Sequence, residues 1–155
     1  MGAGNAFYER AAEYFKGHFE GLGDETHLLR VTDHGNLAQP ESLNVIAWKR
    51  GVRDDCVQGM GGHMDIAPPG GPPGGGTYEG AYDNTAGTVA MMLYARAFAD
   101  LTFDCDTFLA LWSSEEEGLR GSNAFANNQC EYCLPHDKEL ELSLIHISEP
   151  TRPNE

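Results

Sequence analysis

Positive charge is scarce in this sequence: ten lysines and arginines stand against 24 aspartates and glutamates, a formal net charge of -14. Such a surface repels phosphate backbones and anionic bilayers, which excludes nucleic acid and a charged membrane surface as partners. Only three of the basic residues are lysines, a pattern that suits either a salt-rich habitat or ordinary solubility from surface carboxylates. Long apolar runs are missing too, so no membrane span is expected. Residues 1–9 lack the basic start and apolar stretch of a secretory leader, and Ala6 breaks the myristoylation pattern, which leaves the cytoplasm as the default location with export open. The four cysteines, Cys56, Cys105, Cys130 and Cys133, are too few to staple a small secreted fold. Cys130-Glu131-Tyr132-Cys133 has the spacing of a zinc ribbon or redox pair, but no second pair completes four ligands, so plain thiols or one local disulfide are expected.

What is present bounds the rest. A chain of 155 residues, 41% hydrophobic, suffices for one compact domain with one core. Phe7, Ala11, Tyr14, Phe15 and Phe19 recur at helical spacing and predict a helix over residues 5–19, ended by Gly21 and Gly23. Residues 26–31 and 43–49 read as neighbouring strands across a turn-rich link. His18, His27 and His34 have no ligand spacing and read as surface or loop histidines. A strand at 56–60, poor by composition, would deliver His63 from its carboxyl end. Residues 67–76, nearly all proline and glycine, form an exposed loop, either a cleft rim or a spacer. Residues 86–101 predict a helix that buries Val89, Met92, Leu93, Ala97 and Leu101. Residues 107–112 are a continuous apolar run, the mark of a central strand covered on both faces. Another helix starts at 121. This alternation predicts an α/β domain, a three-layer α/β/α arrangement around a mixed sheet, with ligands at the carboxyl ends of strands.

Three short motifs carry the chemistry. In Gly62-His63-Met64-Asp65 the acid lies two residues beyond the imidazole, on the same side of an extended chain, where it would hold one ring nitrogen while the other binds a metal. The alternative is a hydrogen-bonded His-Asp turn without metal. Asp83, within Gly80-Ala81-Tyr82-Asp83-Asn84-Thr85-Ala86-Gly87, stands at the head of a helix and either caps it or offers both oxygens to two cations. Glu115-Glu116-Glu117 crowds three carboxylates directly after an apolar strand, and a cation is the simplest thing that makes such crowding favourable. In a two-metal scheme Glu116 is a ligand and Glu115 the base that takes a proton from the attacking water. Glu117 is assigned to solvent.

The three motifs in this order, with Gly118-Leu119-Arg120-Gly121-Ser122 following and Asn44-Val45-Ile46-Ala47 preceding, resemble the co-catalytic zinc exopeptidases, the family of bacterial leucyl aminopeptidases and glutamate carboxypeptidases. The resemblance covers residues 5–141. It implies two zinc ions, His63 and Glu116 on separate ions, Asp83 bridging them, a cis Asp83-Asn84 peptide, Glu115 as general base and Asp65 orienting His63. It also implies a peptide substrate cut at a terminus, with aminopeptidase action favoured, while oligomeric state stays open. The family uses a further aspartate and a final histidine beyond the glutamate pair, and neither Asp137, His136 nor His146 has a motif around it. Residues 142–155 resemble the translation of a sequencing-library adapter, so 1–141 is expected to be the amino-terminal part of the catalytic domain. As it stands, the chain is expected to have half-filled metal sites and little activity. A non-catalytic binding homologue and a one-zinc glutaminyl cyclase are the competing readings.

Overall fold

The computed structural model describes residues 6–31, 42–53, 55–66 and 80–127. The proline- and glycine-rich stretch at 67–76, the Cys130–Cys133 pair, His34, His136, Asp137 and residues 142–155 lie outside them. Helix α1 (Ala6–Glu20) leads into strands β1 (Glu25–Val31), β2 (Ser42–Lys49) and β3 (Val57–His63). Helix α2 (Ala86–Phe98), strand β4 (Asp106–Trp112) and helix α3 (Arg120–Ala126) follow. The strands form one mixed sheet in the order β1-β2-β4-β3. β2 runs antiparallel to both β1 and β4, whereas β3 lies parallel to β4 with His63 opposite Trp112.

Alternation along the central strands divides the core in two, as a pleat requires. Ile46, Trp48, Phe108 and Ala110 point to one face and pack with Leu29, Val31, Ala124 and Phe125, which seats α3 there. Val45, Ala47, Leu109 and Leu111 point to the other, against Ala12 and Phe19 of α1 and Met91 and Ala95 of α2. Helices on both faces make the three layers expected. On the α3 side, the Phe108 and Phe125 rings and the Trp112 and Phe125 rings each meet at 5.2 Å, and Trp48 meets Phe108 at 5.3 Å.

Several local expectations need correction. β3 runs on to His63 in spite of its glycines, because β4 covers it with aromatic rings. A Cβ at Gly59 would run into the Phe108 ring and one at Gly61 into the Trp112 indole, so glycine is the residue that lets those rings close over the strand. α2 presents Thr88, Met91 and Ala95 to the sheet rather than the set expected; Val89, Leu93 and Leu101 are exposed. The Thr88 hydroxyl donates to the His63 carbonyl at 3.0 Å, on the same side of the helix as the packed Met91 and Ala95. His18 lies within α1, half-buried, its ring 3.3 Å from the Met92 carbonyl. Cys56 and Cys105, for which no pairing was expected from the sequence, are joined in a disulfide spanning 49 residues. It ties the feet of β3 and β4, a proximity that only the parallel pairing creates.

Candidate metal centre

The parallel pairing of β3 with β4 brings two carboxyl ends side by side. His63 is the last residue of β3, and the glutamates follow one turn past Trp112. The Met64 amide donates to the Trp112 carbonyl at 2.9 Å, extending the ladder just beyond His63. Between β3 and α2 the chain makes a five-residue turn, Ala81–Thr85, which carries Asp83. The Asp83-Asn84 peptide is cis, as the sequence resemblance implies.

These elements converge on one imidazole. His63 Nε2 lies 2.9 Å from Asp83 Oδ1 and 3.7 Å from Glu115 Oε2. On the other side of the ring, Nδ1 is 3.2 Å from the Asp65 carbonyl oxygen and 3.4 Å from Asp65 Oδ1. A carbonyl only accepts, so Nδ1 carries the hydrogen and Nε2 is the nitrogen presented to the acids. Asp65 faces the ring with both its carbonyl and its carboxylate Oδ1, while Oδ2 accepts the Glu116 amide at 3.2 Å. Asp83 does not cap α2. Asn84 supplies the turn's hydrogen bond, its Oδ1 accepting the Gly87 amide at 3.0 Å, which leaves the Asp83 carboxylate turned to His63. Glu117 is not given over to solvent: it lies half-buried, with Oε2 4.0 Å from Arg120 Nε.

The electrostatics are those of a place prepared for positive charge. Burial alone would lower the His63 pKa, yet the Asp65 hydrogen bond and the charges of Glu115, Asp65 and Asp83 outweigh it and raise the value to about 9. Burial, together with the charges of Asp83 and Glu115, pushes Glu116 above the ordinary carboxylate range. In the chain by itself, a proton on Nε2 is what reconciles the surrounding acids. A divalent cation taking the same oxygens and nitrogen does that work better, because it carries more charge at the same centre. Among the described residues, His63, Glu115 and Glu116 form the group able to share one ion, with ligand atoms within 4.8 Å of one another. Asp83 Oδ1 lies 2.9 Å from the same ring nitrogen. One imidazole with several carboxylates fits a borderline metal that accepts nitrogen and oxygen together.

Sequence reasoning missed the groups behind the glutamates. Asn44, fully buried in β2, accepts the Ser113 amide and hydroxyl, each at 2.9 Å, and donates to the Gly121 carbonyl at 2.8 Å. Ser42 Oγ lies 2.9 Å from the hydroxyls of both Ser113 and Ser114. The available signal was an asparagine inside an otherwise apolar strand, where an amide is retained only with partners.

Residues 44–141 match the sequence profile of Peptidase family M28. A probable leucine aminopeptidase 2 from Arthroderma benhamiae is 30% identical over 112 residues, which cover 72% of this chain and 21% of that protein. The chain thus spans about a fifth of the length of the curated relatives it matches. Among solved structures, a zinc aminopeptidase from Bacillus subtilis superposes with a TM-score of 0.50 at 26% identity, over 61% of this chain and 22% of that one. The glutaminyl cyclase of Fimbriiglobus ruber superposes with a TM-score of 0.66 at 23% identity, over 82% of this chain and 49% of that one, a likeness of fold.

Proposed function

Because this chain belongs to Peptidase family M28, we propose that the protein is a metallo-exopeptidase that releases residues from the amino terminus of peptides. His63, Asp83 and Glu116 would hold the zinc, and Glu115 would serve as the general base. The observation that carries this reading is the convergence of His63, Asp83 and Glu115 at 2.9 to 3.7 Å, with Glu116 beside them within reach of the same ion. Zinc bound at such a site would polarise the scissile carbonyl and ease the deprotonation of water.

The chain's own residues supply the rest. Glu115, on the open side of the imidazole and partly exposed, accepts a proton from the water that adds to the peptide carbonyl. It returns that proton to the departing amine, so charge balances over the cycle. Asp65 holds both partners of this geometry, the His63 ring through its carbonyl and the Glu116 amide through its carboxylate. The names of the relatives, leucine aminopeptidase and zinc aminopeptidase, favour amino-terminal over carboxy-terminal action. The cyclase fold keeps acyl transfer as the second reading.

Two measurements test this. Zinc uptake by competition with a chromogenic chelator should be lost in His63→Ala and Glu116→Gln but retained in Glu115→Gln; a wild-type chain that takes up no zinc overturns the metal assignment. The 155-residue chain itself is expected to turn over little, so the activity test uses the gene product completed past residue 141: incubated with a leucyl peptide and a glutaminyl peptide it should release free leucine. Pyroglutamate in its place assigns the cyclase, and turnover of neither by the completed protein points to a binding homologue.

A further inference from the structure

We propose that Asn44 and Ser42, at the start of β2, are positioning residues for the acidic loop, fixing the backbone from Ser113 to Gly121 so that Glu115 and Glu116 face His63. The role rests on the metal-site reading above and deepens it, since neither residue touches the imidazole or the glutamates.

The loop needs an outside brace because its own conformation is unfavourable. Ser114 and Leu119 both take left-handed backbone angles, φ of 52° and 59°, and Gly118 lies between at 102°. Side chains other than glycine resist that region, so the turn persists only where its surroundings over-determine it. Those surroundings are polar and buried. Ser42, Asn44 and Ser113 have no exposed surface and Ser114 is 3% exposed. Asn44 spans the loop by gripping Ser113 at its entry through Oδ1 and Gly121 at its exit through Nδ2. The Gly121 amide closes the same span by donating to the Ser113 carbonyl at 3.0 Å. A Cβ at Gly121 would strike both the Ser113 carbonyl and the Asn44 amide oxygen, so the three groups fit only with hydrogen there. Ser42 adds a hydroxyl that Ser113 and Ser114 share. From the far side Asp65 takes the Glu116 amide, and the loop is held between two strands.

An apolar side chain at position 44 would satisfy the sheet but remove the acceptor of the buried Ser113 amide and hydroxyl and the bond to the Gly121 carbonyl. The residue therefore serves the loop rather than the strand. Groups that hold ligands in place from behind affect metal affinity about as strongly as some ligands, typically ~10–100-fold.

The test compares Asn44→Ala and the milder Ser42→Ala with the wild-type chain, in two readouts. Amide hydrogen exchange resolved by residue reports the loop directly, and a chelator competition with Zn2+ reports the ligands. The expected result is faster exchange at Ser113, Glu116 and Gly121 with the β2–β4 ladder unchanged, and a zinc affinity lower by ~10-fold or more for Asn44→Ala. Ser42→Ala should show the same pattern at smaller amplitude, and it decides the matter if Asn44→Ala does not fold. Loop and ladder loosening together, or a loop that exchanges as in wild type, overturns the proposal. If the wild-type chain binds no zinc, the metal assignment falls, while the exchange data still decide whether Asn44 and Ser42 brace the loop.

Discussion

Replacing both Cys56 and Cys105 by serine should lower stability by a large amount while leaving the metal centre intact. The bridge closes a loop of 49 residues, and the chain-entropy relation for such a loop gives about 4 kcal/mol near room temperature. That figure applies when the native geometry survives without sulfur, and the same two strand feet are held together by other bonds. The Val52 amide donates to the Phe103 carbonyl at 2.9 Å, the Arg53 amide to Asp104 at 2.8 Å, and the Asp106 amide to Cys56 at 3.2 Å. Asp106 Oδ1 also accepts the Gly51 amide at 2.8 Å. With these ties in place the serine variant has a native geometry to return to, and the loss falls on the unfolded chain. The bridge also lies at the far end of β3 from His63, a distance of about 20 Å at ~3.3 Å per residue. Urea denaturation of variant and wild type, followed by tryptophan fluorescence, is the assay. With a urea slope of about 2 kcal/mol/M, a loss of ~4 kcal/mol moves the midpoint down by roughly 2 M. A midpoint that does not move would refute the entropic account. A folded variant that no longer takes up zinc would refute the claim that bridge and site are independent.

Phe125→Ala removes the ring that joins Phe108 and Trp112 and should cost about 3–5 kcal/mol in the same urea assay; a loss under ~1 kcal/mol would mean that α3 contributes little to the core. Gly121→Ala, which places a methyl group against the Ser113 carbonyl and the Asn44 amide, should abolish zinc uptake, and wild-type uptake would show that the loop tolerates displacement. Asp24 is buried, and burial raises its pKa in spite of Lys49 at 3.7 Å. A carboxyl group whose folded pKa lies above its unfolded value favours the folded state most at low pH and loses that contribution as pH rises past the unfolded value. Asp24→Asn should therefore be at least as stable as wild type at neutral pH, and its advantage should vanish in acid; a less stable variant at pH ~7 contradicts this. Glu25 behaves oppositely: burial opposes ionisation, but hydrogen bonds from Arg50 and His27 hold its pKa below the ordinary range. Its contribution is full above the unfolded carboxylate pKa and is lost as pH falls through the folded one, so Glu25→Gln should flatten the acid limb of a stability-versus-pH curve.

The elements best written in the sequence were those set by local periodicity. Residues 107–112 read as a strand covered on both faces, and β4 occupies Asp106–Trp112 between two helical layers. The helix expected at 5–19 is Ala6–Glu20. His63, Asp83, Glu115 and Glu116 stood out as candidates by residue type, the family resemblance implied that they form one site, and the structure brings their side chains together around the imidazole. What escaped depended on partners distant in sequence. The glycines of β3 disguised a strand because the rings that cover them belong to β4. The partner of Cys56 is legible only once β3 and β4 are known to run parallel. α2 is apolar on several sides, so its inward face, with Thr88, Met91 and Ala95, could not be read from a pattern. Asn44 was read as part of a strand, since nothing adjacent to it announces that its amide is spoken for by residues 113 and 121.

That last separation bears on how the molecule comes into being. Asn44 reaches Ser113 and Gly121 across 69 and 77 positions of chain, so the turn that carries the acids cannot zip up from its neighbours. Its closure entropy is met only when β2 and β4 have already docked. The reactive groups thus come into register at the end of folding and scatter at the first loosening of the sheet, and metal uptake and the cooperative melt should disappear at the same urea concentration.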